Sequence, residues 1–539
     1  MGRKLRPFLL SAAFLAVCAL VSGSLGPDSS AHASSNAARG MASGDADLDS
    51  GLKLLTSIYR LAEENAAEKV NPDKSIYDGA IPGMLRTLDP HSNFFDPKEY
   101  NKLREDQRGR YYGVGMTIQP RGGHTVVVYP FPGSPAFKAG LRPGDVILEI
   151  NDKSALGLSS SDVADLLKGP RGTAVQVKIS REGKAEPLVF NLIRDAINRP
   201  SVPTKFFIRP GIAYIHVEQF TETTSHELDD ALSSMNETGL KGLVLDLRDN
   251  PGGLLNEGVA VAGRFLRRGQ TVVSHRGRTS PEKPYVAANG SSGREYPIVV
   301  LVSRLSASAA EIVAGALQDH DRAWILGDNT FGKGLVQTVF PLMENTGLAL
   351  TTAKYYTPSG RLIQRDYSSG SFYDYYYHRD TEKKNTQDVK MTDSGRTVYG
   401  GSGITPDEKF VADYKPFQVE LLRRGAFRDY VPKYFGNHDT KLPENWSPDD
   451  AMTADFHAFL VKEGYQFTEA EWAQFQDWIR VQLKYNALLT AAGLDEANRY
   501  AVETDPTVLK GLEAMPKAKA LLDNARKQMV QLNQRSLSH

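Results

Sequence analysis

The sequence predicts a multidomain α/β protein, and three observations support that fold class. Between about residues 211 and 340, short apolar β-branched runs alternate with segments whose apolar residues recur at helical spacing. Residues 111–181 hold short strand-like runs separated by glycine and proline, which indicates a small β-rich unit. From Ser447 onward the pattern is helical. A chain of 539 residues is long enough for roughly two to four such units.

Composition narrows the function without identifying it. The chain has 64 basic and 64 acidic residues, so its formal net charge is zero and no nucleic-acid partner is indicated. About 41% of its residues are hydrophobic, which is enough for ordinary globular cores. The single cysteine, Cys18, lies in the N-terminal leader, so a chain cleaved after that leader has no disulfide, catalytic thiol or thiolate metal site. We expect no metal and no cofactor.

The first 33 residues have the features of a secretory signal peptide. Met1–Arg6 carries three basic residues, Pro7–Leu25 is apolar, and a small-x-small cleavage site ends at Ala33. We therefore expect export to the periplasm or cell envelope. Two alternatives remain open. The apolar run approaches spanning length, so it could be an uncleaved membrane anchor, and Cys18 could be a lipoprotein cleavage site, although Val17 before it fits poorly.

The residues after the leader predict an N-terminal helical region. Residues 34–44 are small and polar, which favours disorder. Leu48–Val70 has apolar residues on one helical face, and Ile76–Leu88 predicts a second helix. Pro90 disfavours helix at Asp89 and should end it there.

Two residues of the α/β region could form a nucleophile and its base. Ser308 follows a strand predicted at Pro297–Val302 and precedes a helix, whose N-terminus favours developing negative charge. Lys333 lies between two glycines, which allow a sharp turn and close approach. A serine hydroxyl needs a base, and a lysine can serve once burial has lowered its pKa. The pair would be the serine–lysine variant of a catalytic triad.

Other interpretations of the same residues are structural or nucleotide-binding. Ser308 and Glu311 fit a helix capping box, and Lys333 could be a solvated loop residue. The stretch Gly327–Lys333 is similar to a phosphate-binding loop. However, Gly334 stands where that motif needs Ser or Thr, and a strand rather than a helix follows.

Residues 306–320 (SASAAEIVAGALQDH) and 327–337 (GDNTFGKGLVQ) together resemble the catalytic signature of the carboxyl-terminal processing proteases, also called tail-specific proteases. The resemblance extends from about Leu48 to Asp407. It implies that Ser308 is the nucleophile, Lys333 the general base, and Gln337 the residue that orients the lysine. It also implies a protease core built as a crotonase-like βαβ spiral, with an inserted PDZ domain, N-terminal helices and a helical C-terminal extension.

A second motif of the same family, L-D-L-R-x-N-P-G-G, occupies residues 245–253. The resemblance implies that a glycine N–H of this motif joins the N–H of Ala309 to form an oxyanion hole. The sequence leaves the choice between Gly252 and Gly253 open. The alternative is a tight turn with no role in catalysis.

Residues 139–147 (AGLRPGDVI) resemble the signature of PDZ domains, which bind an extended C-terminal peptide by strand addition and hold its carboxylate in a backbone nest. The helix from Ser160 should line the groove. Arg171 could couple the groove to the active site or could be a solvated turn residue. The resemblance implies these peptide-binding residues: Gly113, Val114, Gly115 and Met116 in the carboxylate loop, and Val163 and Leu167 as walls.

These observations predict a signal peptide (1–33), an N-terminal helical region (34–104), a PDZ domain (105–196), a serine–lysine protease core (197–425) and a helical extension (426–539). Within the core, Leu348–Tyr356 and Arg361–Arg365 should form a hairpin, and the tyrosine-rich stretch Phe372–Tyr377 should belong to an exposed insertion. In the extension, Thr468 and Glu471 fit a capping box.

The sequence therefore predicts an exported serine endopeptidase that binds protein tails through its PDZ domain and cleaves through an acyl-enzyme. Its expected partners are proteins or peptides with accessible C-terminal tails, an adaptor or activator, and a second copy joined through the N-terminal helices. One alternative is a catalytically silent PDZ scaffold on the same fold. Another is a regulated enzyme whose site is assembled only when a partner or peptide binds.

Overall fold

The fold is given by a computed structural model that describes residues 38–290, 294–368, 375–376, 388–436, 441–443 and 445–537. The predicted signal peptide and most of the tyrosine-rich insertion lie outside these residues. Within the described residues, no helix combines the length and apolarity needed to cross a membrane.

The N-terminal region is more helical than expected. Its elements are α1 (Ala38–Asn65), a π-helical turn (Lys74–Ala80), α2 (Ile81–Leu85), β1 (Asn93–Phe95) and α3 (Pro97–Arg108). Helix α1 begins inside the segment 34–44 that was expected to be disordered, so that expectation was wrong from Ala38 onward. Helix α3 was not anticipated, although Asp96 and Glu99 form a capping box around Pro97, a recognisable start signal.

The β-rich unit is a six-stranded antiparallel sheet with two short helices. In chain order its elements are β3 (Met116–Arg121), β4 (His124–Pro130), α4 (Pro135–Lys138), β5 (Val146–Ile150), β6 (Lys153–Ser154), α5 (Ser160–Leu167), β7 (Ala174–Ser180) and β8 (Leu188–Ile193). A two-stranded ribbon of β2 (Arg110–Gly113) and β9 (Asp195–Asn198) joins the unit to the rest of the chain. The chain thus enters and leaves the unit through one paired ribbon.

A second six-stranded sheet forms the centre of the α/β region, in the order β10-β11-β12-β15-β16-β21. Its strands are β10 (Thr204–Arg209), β11 (Ile212–His216), β12 (Gly242–Asp246), β15 (Ile298–Val302), β16 (Trp324–Gly327) and β21 (Glu408–Lys409). All neighbours except β10 and β11 pair in parallel. Crossover helices α6 (Thr224–Ser234), α7 (Leu255–Phe265) and α8 (Ala309–Asp319) bury one face of the sheet. Loops after parallel strands meet at the carboxyl edge of such a sheet, where ligands commonly bind.

A third, antiparallel sheet flanks this edge. It contains β1, β13 (Thr271–Arg276), β14 (Lys283–Val286), β17 (Leu335–Pro341) and β18 (Gly347–Tyr356). The expected hairpin to residues 361–365 does not form, because only an isolated bridge joins Leu362 to Tyr356. A separate hairpin of β19 (Val389–Met391) and β20 (Thr397–Tyr399) follows.

The described residues of the C-terminal extension, predicted at 426–539, are helical, and the helices begin at Pro416, before the helical pattern predicted from Ser447. Its helices are α9 (Pro416–Arg424), α10 (Ala426–Gly436), α11 (Asp450–Lys462), α12 (Glu469–Gln474), α13 (Gln476–Ala491), α14 (Leu494–Thr504), α15 (Pro506–Glu513) and α16 (Met515–Leu537). The capping box of Thr468 and Glu471 forms as expected. Helices α15 and α16 pack Val508 and Met515 against the second face of the parallel sheet, so the extension completes the core.

Candidate active site

Ser308 lies in a strained turn between β15 and α8, at the carboxyl edge of the parallel sheet. Its backbone has φ 54° and ψ −114°, a conformation that side chains other than glycine rarely adopt. A strained strand-to-helix turn of this kind presents the nucleophile in α/β-hydrolase folds. Ser308 is fully buried, and its Oγ has no hydrogen-bond partner among the residues that the structure describes.

Glu311 joins the Ser308 turn to the Lys333 loop, a role that the sequence did not reveal. Its Oε2 accepts the backbone N–H groups of Ser308 and Lys333, each at 2.8 Å. Its Oε1 accepts the Thr330 hydroxyl at 2.5 Å and the Gly332 N–H at 2.6 Å. Burial raises the pKa of Glu311, and these four donors act in the opposite direction. Only the glutamate half of the expected capping box forms, since Ser308 Oγ accepts no hydrogen bond.

Lys333 and Gln337 lie side by side in the same buried site. Lys333 is 4% exposed, and its Nζ donates to Oε1 of Gln337 at 3.2 Å. The Gln337 amide group donates in turn to the backbone carbonyl of His91, in the segment between α2 and β1. The N-terminal region therefore holds the glutamine that contacts the lysine, a contact across 246 residues of sequence.

The glycine motif after β12 packs directly against the Ser308 turn. A Cβ atom on Gly252 would lie 2.7 Å from Cβ of Ser308, so no larger residue fits there. The N–H of Gly252 donates to Oδ1 of Asn250 at 2.8 Å, and Asn250 Nδ2 donates to the Val217 carbonyl. The carbonyl of Gly252 accepts from Phe220 N–H. Asn250 therefore engages the Gly252 N–H, and the Cβ position of Gly252 lies 3.1 Å from the backbone nitrogen of Ala309.

The predicted carboxylate loop lies at the end of a cavity of about 210 Å³ between β3 and α5. The Val114 carbonyl accepts from Ala136 N–H, and the Gly115 carbonyl accepts from Phe131 N–H. In a trans peptide the N–H points opposite to the carbonyl, so the N–H groups of Gly115 and Met116 point away from these partners. Gly115 has φ 77°, and a Cβ there would lie 2.4 Å from Ser134.

Three residues expected to line or couple the groove lie elsewhere. Gly113 pairs with Asp195 in the ribbon of β2 and β9 and does not line the cavity. Val163 is fully buried in the core of the β-rich unit, and the next residue, Ala164, lines the cavity instead, together with Leu167. The side chain of Arg171 is 69% exposed and pairs with Asp195 at 2.7 Å. In this structure Arg171 is thus a solvated turn residue, the second of the two interpretations of the sequence.

Tyr375 belongs to the segment that was expected to be exposed, but it is buried against the Lys333 loop. Its ring contacts Phe331 edge-on at 5.8 Å, and its hydroxyl lies 3.0 Å from Nε2 of His91. Gln364 donates to the same hydroxyl at 3.2 Å and accepts the N–H of Gly334 at 2.8 Å. The tyrosine-rich sequence does not by itself predict that Tyr375 contacts the Lys333 loop and His91.

His91 should make the free energy of unfolding of the chain depend on pH. Burial, and after it the charge of Lys333 in its protonated form and that of Arg365, hold the pKa of His91 well below its usual value. The unfolded chain takes up a proton below about pH 6.5 that the folded ring does not, so stability should fall by about 1.4 kcal/mol per pH unit. We expect His91→Asn to unfold at a lower temperature than the parent chain at pH 8, with the gap narrowing toward pH 5.5. Thermal unfolding across this range checks the sign, and a gap that stays constant or widens contradicts it.

Comparisons with known proteins agree with these features. The profile described as peptidase family S41 matches residues 211–370, and a PDZ domain profile matches residues 126–181. The chain is 43% identical over 297 residues to a carboxy-terminal-processing protease of Bartonella bacilliformis, covering 54% of this chain and 68% of that protein. It is 40% identical over 292 residues to a carboxyl-terminal-processing protease of Synechocystis, covering 53% and 68%. A solved photosystem II D1 C-terminal processing protease is 32% identical and covers 67% of this chain and 87% of its own, but the TM-score is 0.36. The relationship therefore rests on the aligned sequences.

Proposed function

Since the chain belongs to the carboxyl-terminal processing proteases of peptidase family S41 and is a serine endopeptidase, we propose that Ser308 is its nucleophile and Lys333 its general base. The observation that carries this proposal is the shared carboxylate oxygen of Glu311. That oxygen accepts the backbone N–H of both residues at 2.8 Å, and so brings the serine turn and the lysine loop to one point. Gln337 orients the lysine through the 3.2 Å contact to Nζ.

The proposed reaction proceeds by acyl transfer. Lys333 Nζ takes the proton of Ser308 Oγ as the oxygen attacks the scissile carbonyl carbon. The N–H groups of Ala309 and of one glycine of the motif, Gly252 or Gly253, stabilise the resulting oxyanion, and each such donor contributes about 2.7–4 kcal/mol in comparable hydrolases. Lys333 then gives the proton to the leaving amine. A water molecule, deprotonated by Lys333, hydrolyses the ester and restores the serine.

The contact between the Ser308 hydroxyl and its proposed base is the part of the site that substrate binding has to complete. The Oγ of Ser308 makes no hydrogen bond to any residue that the structure describes, so the nucleophile–base contact is not formed here. Catalytic hydrogen bonds of this kind often tighten only when substrate is bound. We expect a shift of the Lys333 side chain toward Ser308 on substrate binding to complete the site.

The tail of the substrate is the ligand we assign to the cavity between β3 and α5. The cavity is lined by apolar side chains that suit an apolar last residue: Val114, Met116, Ile118, Phe131 and Leu167. The N–H groups of Gly115 and Met116 are placed to receive the terminal carboxylate. A protein with a free, apolar C-terminus is the substrate class that fits.

Cleavage of an unfolded protein with an apolar C-terminus by the parent chain and by Ser308→Ala tests the assignment. We expect the variant to lose at least about 10⁴-fold in kcat while it still binds the tail. The same substrate with an amidated C-terminus should be cut more slowly by the parent chain, because the carboxylate nest is then unused. Equal cleavage by parent and variant would refute the role of Ser308 and favour the silent-scaffold alternative.

We also propose that the protein is exported, on the strength of the leader pattern in residues 1–33, which lies outside the described residues. The expected N-terminus of the mature chain is Ser34. Terminal sequencing of protein from the cell envelope checks this. An intact Met1 in that fraction would indicate an uncleaved anchor instead.

A second copy of the chain is the partner that fits α1. Six large apolar side chains on this helix are each at least 50% exposed: Leu48, Leu52, Leu54, Leu55, Ile58 and Leu61. A surface of this kind on a helix is typical of a self-association face. We expect the parent chain to be a dimer and the double variant Leu52→Glu/Leu55→Glu to be a monomer by light scattering. Lys53→Glu on the same helix is the control and should stay dimeric, and a monomeric parent chain would contradict the proposal.

A further inference from the structure

The tail-binding cavity is lined in part by residues from outside the β-rich unit. Glu105 and Asp106 of α3 line it, together with Arg199, which follows β9. Lys168, directly after α5, lines it too. The N–H of Gly169 donates to the carbonyl of Tyr112, which places Lys168 beside the carboxylate loop.

These four charged side chains form two ion pairs at the wall of the cavity. Lys168 Nζ contacts Oε2 of Glu105 at 2.7 Å, and Arg199 contacts Oδ1 of Asp106 at 3.3 Å. Each of these side chains is between 33% and 46% exposed, so the pairs are accessible to an entering ligand. Burial raises the pKa of the Asp106 carboxyl group, and the neighbouring Arg199 acts in the opposite direction.

Two carboxylates thus line the same cavity that the terminal carboxylate of a tail would enter, each paired with a basic side chain. A third negative charge would be repelled by Glu105 and Asp106 and attracted by Lys168 and Arg199. Resting on the proposed tail-binding function, we propose that the α3 carboxylates are resident competitors of the substrate carboxylate. A bound tail takes Lys168 from Glu105 and so breaks the ion pair that joins α3 to α5.

This exchange reaches the catalytic region through α3. Leu103 of α3 packs against Phe95 of β1. Strand β1 directly follows the segment whose His91 carbonyl accepts from Gln337. Tail binding and the position of the lysine partner are therefore connected by one short, continuous stretch of chain from residue 91 to residue 106.

The test measures tail binding, not cleavage, in the full chain carrying Ser308→Ala. A fluorescent peptide with an apolar C-terminal residue is titrated as the free acid and as the amide, at low and high salt. We expect Glu105→Gln to tighten binding of the free acid by about threefold to tenfold and to leave the amide unchanged. Lys168→Met should weaken the free acid by about tenfold. High salt should reduce both effects.

The chain offers a matched control between the same two helices. Lys98 of α3 pairs with Asp165 of α5 at 2.5 Å, outside the cavity. Asp165→Asn removes this ion pair and should change neither peptide's affinity. An effect equal to that of Glu105→Gln would mean that loosening α3, rather than removing a competitor, tightens binding, and would overturn the proposal.

Two other outcomes separate this proposal from the function on which it rests. If the parent binds the free acid better than the amide but Glu105→Gln does not tighten the free acid, tail recognition stands and the competition is refuted. If the parent does not distinguish free acid from amide, both are refuted for this cavity. Cleavage by Ser308 would still be tested separately by the activity comparison above.

Discussion

Lys333→Met is expected to lower kcat for peptide cleavage by at least about 10⁴-fold, as loss of the base does in other serine hydrolases. Methionine has a similar length and is apolar, so it should occupy the same buried space without supplying a base. The side chain is 4% exposed and contacts Gln337, so water is poorly placed to substitute for it. Binding of a tail peptide should be unchanged, because Lys333 is not among the residues that line the tail cavity.

The matched control for this variant is Lys409→Met, at a lysine whose side chain is 58% exposed. It should cleave like the parent chain. Cleavage of an ester with an activated leaving group is a second measurement of the role of Lys333, because that leaving group departs without receiving a proton. We expect Lys333→Met to retain more activity on that ester than on a peptide. Peptide cleavage within about tenfold of the parent would assign the base to another group.

The parts of the fold and site that could be predicted from the sequence are those encoded over a few consecutive residues. Apolar runs mark β12, β15 and β16, because a strand buried on both faces must be apolar throughout. The residue types at Ser308 and Lys333 are likewise local, since a nucleophile before a helix and a lysine between glycines are visible in a short window. The structure brings these two segments to one carboxylate.

The parts that were missed depend on contacts between distant segments. Glu311 looked like half of a capping box, because only the folded loop brings the N–H groups of Gly332 and Lys333 to its carboxylate. Tyr375 looked exposed, because its partner His91 lies 284 residues away. No periodicity in the sequence reports on such pairings.

Val163 was missed for a local reason. It was predicted on the groove wall, but the orientation of its helix buries it in the core.

Glu311→Gln should reduce kcat by about 10²-fold, since misplacing reacting groups by an ångström costs about that much. The glutamate accepts four donors with two oxygens. A glutamine has one oxygen and one NH₂ group. Two of the four hydrogen-bond donors would therefore lie against the NH₂ group and lose their acceptor. Each buried donor left without a partner costs about 1–3 kcal/mol. This loss should displace either the strained turn of Ser308 or the loop of Lys333 from its position.

A matched control separates this effect from ordinary loss of a helix cap. Glu471 also occupies the third position of a capping box, at the start of α12, but its partner there is Thr468 alone. Glu471→Gln should lower the unfolding temperature slightly and leave kcat unchanged. If Glu311→Gln were only a weaker cap, it would behave in the same way.

Whether Glu311→Gln changes kcat or KM tests whether Glu311 positions the reacting groups or contributes to substrate binding. A positioning role predicts a lower kcat with an unchanged KM for a tailed substrate, because Glu311 does not line the tail cavity. It also predicts slower labelling of Ser308 by a phosphonate reagent in a chain whose circular dichroism is that of the parent. Glu311→Gln with normal kcat would show that the serine turn and lysine loop hold their places without the shared carboxylate. The juxtaposition on which the catalytic assignment rests would then need another cause.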